Sequence, residues 1–186
     1  MTTYMALLRG INVGGKNIIK MAELRSSFES LGLNRVQTYI QSGNVLFESN
    51  ELEQALRKLI EHKIEENFGF PVTVVLRTAS ELEWIAENCP FSEEAITKAE
   101  GTSEGESLYV ALLLEVPTEE GIERLGAYKT ENEEFHIEDR EIYLLFRKSI
   151  RKSKLANQLQ KLGVPVTIRN WKTINKLITM VKATEE

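Results

Sequence analysis

Two short apolar runs, residues 4–9 (YMALLR) and 108–114 (LYVALLL), constrain this chain most, because each opens the same succession of strand and helix signals. After the first run, Met21, Leu24, Phe28 and Leu31 recur three or four apart, a helical stripe stopped by Gly32. Strands at 36–40 and 45–48 flank Gln41-Ser42-Gly43-Asn44, a polar glycine segment of the kind hairpin turns use. A second stripe, Leu52, Leu56, Leu59, Ile60 and Ile64, predicts a helix over 52–68. A strand at 72–77 and a helix at 80–87, opened by the capping box Ser80-x-x-Glu83, close the first half. In the second half, strands at 135–138 and 142–147 flank Asp139-Arg140-Glu141. A helix at 155–162, a strand at 165–169 and a helix at 171–181 behind Asn170 as cap follow. Residues 89–107, rich in Glu, Ser, Thr and Gly, read as a connector, which sets the halves at 1–100 and 106–186.

The order β-α-β-β-α-β belongs to ferredoxin-like sheets, in which the first and third strands are antiparallel neighbours. The expected fold class is therefore α+β, two duplicated ferredoxin-like halves, each with an extra C-terminal helix and packed as one compact unit. This order predicts that Arg9-Gly10, at the end of the first strand, lies beside the turn Ser42-Gly43-Asn44. It also brings Arg147, Ser153 and Arg169 to one rim of the second half.

With 186 residues and 42% hydrophobic content the chain can bury a substantial core. No segment approaches the roughly 20 apolar residues that cross a bilayer, so no membrane partner is expected. One cysteine, Cys89, suits a reducing, cytoplasmic setting. Two histidines, His62 and His136, without Cys-x-x-Cys or His-x-x-x-His spacing give no metal site. Charge is distributed unevenly. Residues 1–50 carry 5 Lys and Arg against 3 Asp and Glu, 51–146 carry 8 against 23, and 147–186 carry 10 against 2. A basic tail of this kind meets either an anionic partner or acidic residues of this chain, its own or those of a second copy in a homo-oligomer.

Two constellations are candidate sites. Arg147, Lys148, Arg151, Lys152 and Lys154 crowd into eight residues around Ser153, and Arg169, Asn170, Trp171 and Lys172 start another helix on the same expected rim. Such a rim would hold a phosphorylated metabolite or a nucleic-acid backbone, with Trp171 as a flat surface for a base or sugar. The structural alternative is a solvated charge run with Trp171 in the core. The other constellation joins Arg9, Gly10, Asn12, Gly14, Gly15 and Lys16 to Gln41, Ser42, Gly43 and Asn44. Residues 10–16 match the G-x-x-x-x-G-K spacing of a phosphate loop, but Asn17 stands where Ser or Thr would bind magnesium, and the only aspartate is Asp139 in a turn. Nucleotide hydrolysis is disfavoured. What is left is a pocket for an enzyme acting on a small anion, or loops that turn the chain.

Arg9-Gly10-Ile11-Asn12-Val13-Gly14-Gly15, Gln41-Ser42-Gly43-Asn44-Val45, Asn88-x-Pro90-Phe91 and Thr167-Ile168-Arg169-Asn170-Trp171 resemble, in the same order and over nearly the whole length, the bacterial domain-of-unknown-function family DUF1697. The resemblance implies an uncharacterised α+β protein and transfers no activity, substrate or cofactor. From the residues, the leading expectation is a non-catalytic binding protein that uses the basic rim.

Overall fold

Short apolar runs, buried on both faces, carry the chain into two four-stranded antiparallel sheets in a computed structural model that describes all 186 residues. The first sheet contains β1 (Thr2–Leu8), β2 (Asn34–Tyr39), β3 (Asn44–Ser49) and β4 (Val74–Thr78) in the order β2-β3-β1-β4. Helices α1 (Met21–Glu29) and α2 (Glu53–Phe68) make its crossovers, and α3 (Ala79–Glu87) follows β4. Helix α4 (Glu93–Thr102) leads to the second sheet, β5 (Leu108–Leu113), β6 (Glu133–Glu138), β7 (Glu141–Phe146) and β8 (Val166–Asn170), ordered β6-β7-β5-β8. Its crossovers are α5 (Glu119–Gly126) and α6 (Lys154–Leu159), and α7 (Trp171–Glu185) ends the chain. The fold is α+β and duplicated, with the first and third strands of each half paired at the centre. No helix is long and apolar enough to cross a membrane.

The duplication extends to single hydrogen bonds. Leu8 N–H donates to the Gly43 carbonyl and Arg9 N–H to that of Thr73. In the second half Leu113 N–H donates to Arg140 and Leu114 N–H to Pro165. Each first strand therefore exits between the hairpin turn and the start of the fourth strand, as the ferredoxin-like order requires.

Two compact units result, Met1–Trp84 with Lys176–Glu186, and Ile85–Asn175. The first unit's core joins one face of its sheet to α1 and α2. Phe47 stacks on Tyr4 at 5.7 Å and meets Phe28 edge-on at 5.7 Å. Burying each such ring stabilises the fold by about 1.5–3 kcal/mol. The second unit's core is built likewise around Ala111, Leu113, Ile142, Leu144 and Phe146. The reverse face of each sheet is buried too, Met5, Leu7, Leu46 and Val75 in one, Val110, Leu112, Tyr143 and Leu145 in the other.

Three sequence expectations shift. The segment at 89–107 contains α4, capped by Ser92, whose hydroxyl accepts from Ala95 N–H, and its apolar residues Ala95, Ile96 and Ala99 pack in the second unit with Leu108 and Leu145. The capping box of α3 is Thr78-x-x-Glu81 and not Ser80-x-x-Glu83. Thr78 N–H donates to Glu81 at 2.7 Å and Glu81 N–H to Thr78 at 3.2 Å, because β4 runs on to Thr78 and the helix starts directly behind it. The stripe of α2 is narrower than its sequence suggests. Leu56, Ile60 and Ile64 are buried, whereas Leu52 precedes the helix and is 78% exposed, and Leu59 is 43% exposed.

Tyr143 is fully buried in β7 and donates to the Ile85 carbonyl at 2.8 Å. Burial pushes its phenol well above the ordinary value of 10.0, and negative charge from Cys89, Glu141 and Glu138 adds to the effect. Burial raises Tyr109 in the same direction. A group whose folded pKa is raised contributes stability that is fully present below its unfolded value and lost as pH climbs toward the folded one. Stability should therefore fall above about pH 10, and Tyr143→Phe should flatten that fall at a cost of about 1 kcal/mol near neutrality. Urea midpoints collected across this range for both proteins test it, and an unchanged alkaline slope in Tyr143→Phe would count against the assignment.

Candidate functional site

In the second unit the turn after α5 and the segment after β7 face each other across a cleft of about 520 Å³. Its lining includes Tyr128, Lys129, Thr130 and Asn132 on one wall and Lys148, Ser149, Lys152 and Lys154 on the other. Both walls are held by local chemistry. Arg147, half-buried at the exit of β7, donates from its guanidinium to the Glu131 carbonyl at 2.8 Å and to the Glu134 carboxylate at 3.0 Å, while its own N–H donates to Asn132 at 2.8 Å. These bonds tie the loop before β6 to the end of β7. On the opposite wall the Ser149 hydroxyl caps the short 3-10 turn Ile150–Lys152, accepting from Arg151 N–H at 3.3 Å. Ser153 is buried and caps α6, accepting from Ala156 N–H at 3.0 Å.

The framework leaves the ammonium groups of Lys129, Lys148, Lys152 and Lys154 exposed and without an ion-pair partner around one cleft. The single carboxylate in the lining is Glu133, which accepts from the Thr130 hydroxyl at 3.4 Å. A lysine roughly 6 Å from an anionic charge contributes about 0.7–3 kcal/mol between the aqueous and near-surface dielectric limits.

Two clefts of the first unit lack this property. In the first unit, one of about 640 Å³ holds Arg25 paired with Glu29 at 2.9 Å, and Arg35, which reaches Glu48 at 3.5 Å and the Thr184 carbonyl at 2.7 Å. One of about 570 Å³ is lined by Ser26, Ser27 and Ser30, whose hydroxyls donate back to helix carbonyls.

The residues singled out from sequence separate into distinct environments. Lys152 and Lys154 line the cleft, and Lys148, from the same run, joins them. Arg147 and Ser153 frame it, and Arg151 is exposed outside its lining. Arg169 is buried and does not join the basic rim. It faces the reverse side of the second sheet opposite Val110, donates to the Thr167 hydroxyl at 2.8 Å and the Ile168 carbonyl at 3.1 Å, and burial lowers its pKa to about 10, still protonated at neutral pH. Asn170 caps α7, accepting from Thr173 N–H at 2.8 Å. Trp171 is no open stacking platform, because its ring lies 6.4 Å from that of Tyr143 and packs with Leu108 and Leu145. Lys172 is exposed at the start of α7. Lys129 and Tyr128 escaped the sequence reading, since nothing in a lone lysine after α5 announces which wall it will face.

In the first unit the glycine loop and the hairpin turn do meet, and their polar groups hold the backbone. Asn12 donates from its amide to the carbonyls of Ile19 at 3.0 Å and Gln41 at 2.8 Å and accepts from Ile19 N–H at 2.9 Å. Asn44 is buried and donates to the Tyr39 carbonyl and the Ser42 hydroxyl, both at 3.0 Å. Gly14 and Gly15, at φ +59 and +71, form the two-residue turn of a small hairpin. Asn12 N–H closes it onto Asn17 at 3.0 Å and Lys16 N–H onto Val13 at 3.1 Å. A phosphate-cradling loop aims its amides at one centre and opens a helix. Here two of those amides are paired within the hairpin, and α1 begins only at Met21. Gly10 and Lys16 are exposed and Arg9 half-exposed.

The chain is 30% identical to a conserved bacterial protein from Streptococcus pneumoniae of known structure, over 96% of this chain and 98% of that one, with a TM-score of 0.70. No curated protein matches. The family described as "Protein of unknown function (DUF1697)" matches residues 1–143, a span that takes in the Lys129 wall of the cleft and ends before Lys148. That match covers well over half of the sequence and carries the glycine-loop and hairpin motifs just described, so the chain belongs to the DUF1697 family.

Proposed function

We propose that this protein binds a phosphorylated small molecule in the lysine cleft of its second unit. The observation that carries the reading is the convergence of four ammonium groups free of ion pairs, Lys129, Lys148, Lys152 and Lys154, on one cleft. Its volume of about 520 Å³ is that of a small-molecule site and too short for a tract of nucleic acid. Tyr128 offers an apolar wall beside the charges, and the hydroxyls of Thr130 and Ser149 add neutral donors. Four exposed ammonium groups against one carboxylate, Glu133, make attraction of an anion the chemistry that dominates this lining.

Titration calorimetry with inorganic pyrophosphate at low salt should show saturable binding, weakened at least about tenfold in a Lys148→Ala/Lys152→Ala variant of unchanged melting temperature. Lys172→Ala, which alters the same basic tail outside the cleft, should bind like wild type. Equal binding by the double variant would overturn the reading. Tight, strongly salt-dependent binding of a single-stranded oligonucleotide, with none of pyrophosphate, would replace it with a backbone-binding surface.

A further inference from the structure

The duplicated fold places two equivalent loop tips at the exits of β1 and β5, and they carry opposite charge. At the first tip, the hairpin after β1 and the turn before β3 are joined by the Asn12 to Gln41 bond of 2.8 Å. Their exposed side chains include three β-branched residues, Val13 at 67%, Ile18 at 65% and Ile40 at 46%. Ile40 is held there at φ +47, which a β-branched residue rarely adopts. Arg9, Lys16 and Lys20 flank them, and residues 9–22 and 38–44 contain no acid. At the second tip, Leu113 N–H donates to the Arg140 carbonyl and fixes the β6–β7 turn beside the exit of β5. Val116, three residues past β5, is 56% exposed, and the segments that meet at this end carry the exposed carboxylates of Glu115, Glu119, Asp139 and Glu138, the last 3.2 Å from His136.

We propose that these tips are the two halves of a self-association interface, the basic apolar tip of one copy docking on the acidic apolar tip of a second copy. Charge complementarity selects this occupant. The first tip offers an apolar centre with a wholly basic rim and the second an apolar residue among predominantly acidic ones, Arg140 being the cation of its turn, and the partner of complementary charge for either is the other tip of another molecule. The interface is heterologous, a different surface on each side, and it uses no residue of the lysine cleft.

Sedimentation of the full chain at roughly 0.05 M and 0.5 M salt tests the proposal, since exposed charge pairs are largely screened at the higher value. Self-association should appear at low salt and weaken at least about tenfold at high salt. Lys16→Glu/Lys20→Glu should abolish it through like-charge contact, and Glu115→Lys/Glu119→Lys should do the same. Mixing the two variants should restore assembly between them, which a merely misfolded variant could not do. A protein monomeric at every concentration, association unmoved by both variants, or failure of the mixed variants to pair would overturn it. Capture by anionic vesicles through the first tip without self-association would overturn it in favour of a lipid surface.

Discussion

Gly43→Val is expected to destabilise the protein by about 2–5 kcal/mol, read as a lowered urea midpoint at unchanged slope. Two separate penalties combine. Gly43 sits at φ +85, and a Cβ there would lie 2.6 Å from Ile11 Cδ1 and 3.0 Å from Leu8 Cβ. The carbonyl of Gly43 also accepts the Leu8 N–H at 2.9 Å that marks the end of β1, so the turn cannot move aside without opening the strand junction. Gly69→Ala separates the terms. Gly69 ends α2 at φ +81 with open space around it, so its replacement carries only the backbone cost, about 1 kcal/mol. Equal losses at both sites would mean that Ile11 yields and that the close approach at Gly43 is without consequence. The glycine of this motif is therefore required by packing between two loops, which is why its presence in the sequence does not point to a ligand.

Much of this molecule was legible before its structure. Short apolar runs bounded by turn residues marked all eight strands to within about two residues, and the β-α-β-β-α-β order then dictated that Arg9 would meet the Ser42-Gly43-Asn44 turn. Asn170 was readable as a helix cap because Asn before an apolar-periodic run has few other uses. What escaped the sequence did so for specific reasons. The connector contained α4, whose apolar face is only Ala95, Ile96 and Ala99 amid Glu, Thr and Lys, too thin a stripe to outweigh a loop-like composition. The two overlapping S/T-x-x-E patterns at Thr78 and Ser80 could be resolved only by where β4 ended. Arg169 looked available because its strand is apolar on both faces, so alternation gave no hint that the guanidinium would be enclosed. The lysine cleft depends on Lys129 and Lys148 meeting across nineteen residues of chain, and no local signal reports that distance.

Arg77→Ala is the second large effect expected, about 3–5 kcal/mol. Arg77 has no exposed surface. It is the fourth residue of β4, opposite Met5 on the reverse face of the first sheet, and it donates to the Leu76 carbonyl at 2.8 Å. Arg169 is the fourth residue of β8, opposite Val110, and donates to the Ile168 carbonyl in the same way, so the duplication has kept a buried guanidinium at one position in both halves. A buried cation is tolerated only when its donors are satisfied, and truncation removes both the packed volume and the partners of the groups that received it. Arg77→Met retains most of the volume and should cost less, about 1–3 kcal/mol. Arg169→Ala and Arg169→Met should follow the same order. If Arg77→Ala and Arg169→Ala both stay within about 1 kcal/mol of wild type, the guanidinium groups are not structural, and Arg169 returns as a candidate for ligand contact. The predicted losses would instead assign both arginines to the framework, leaving the exposed lysines of the cleft as the cations available to a ligand.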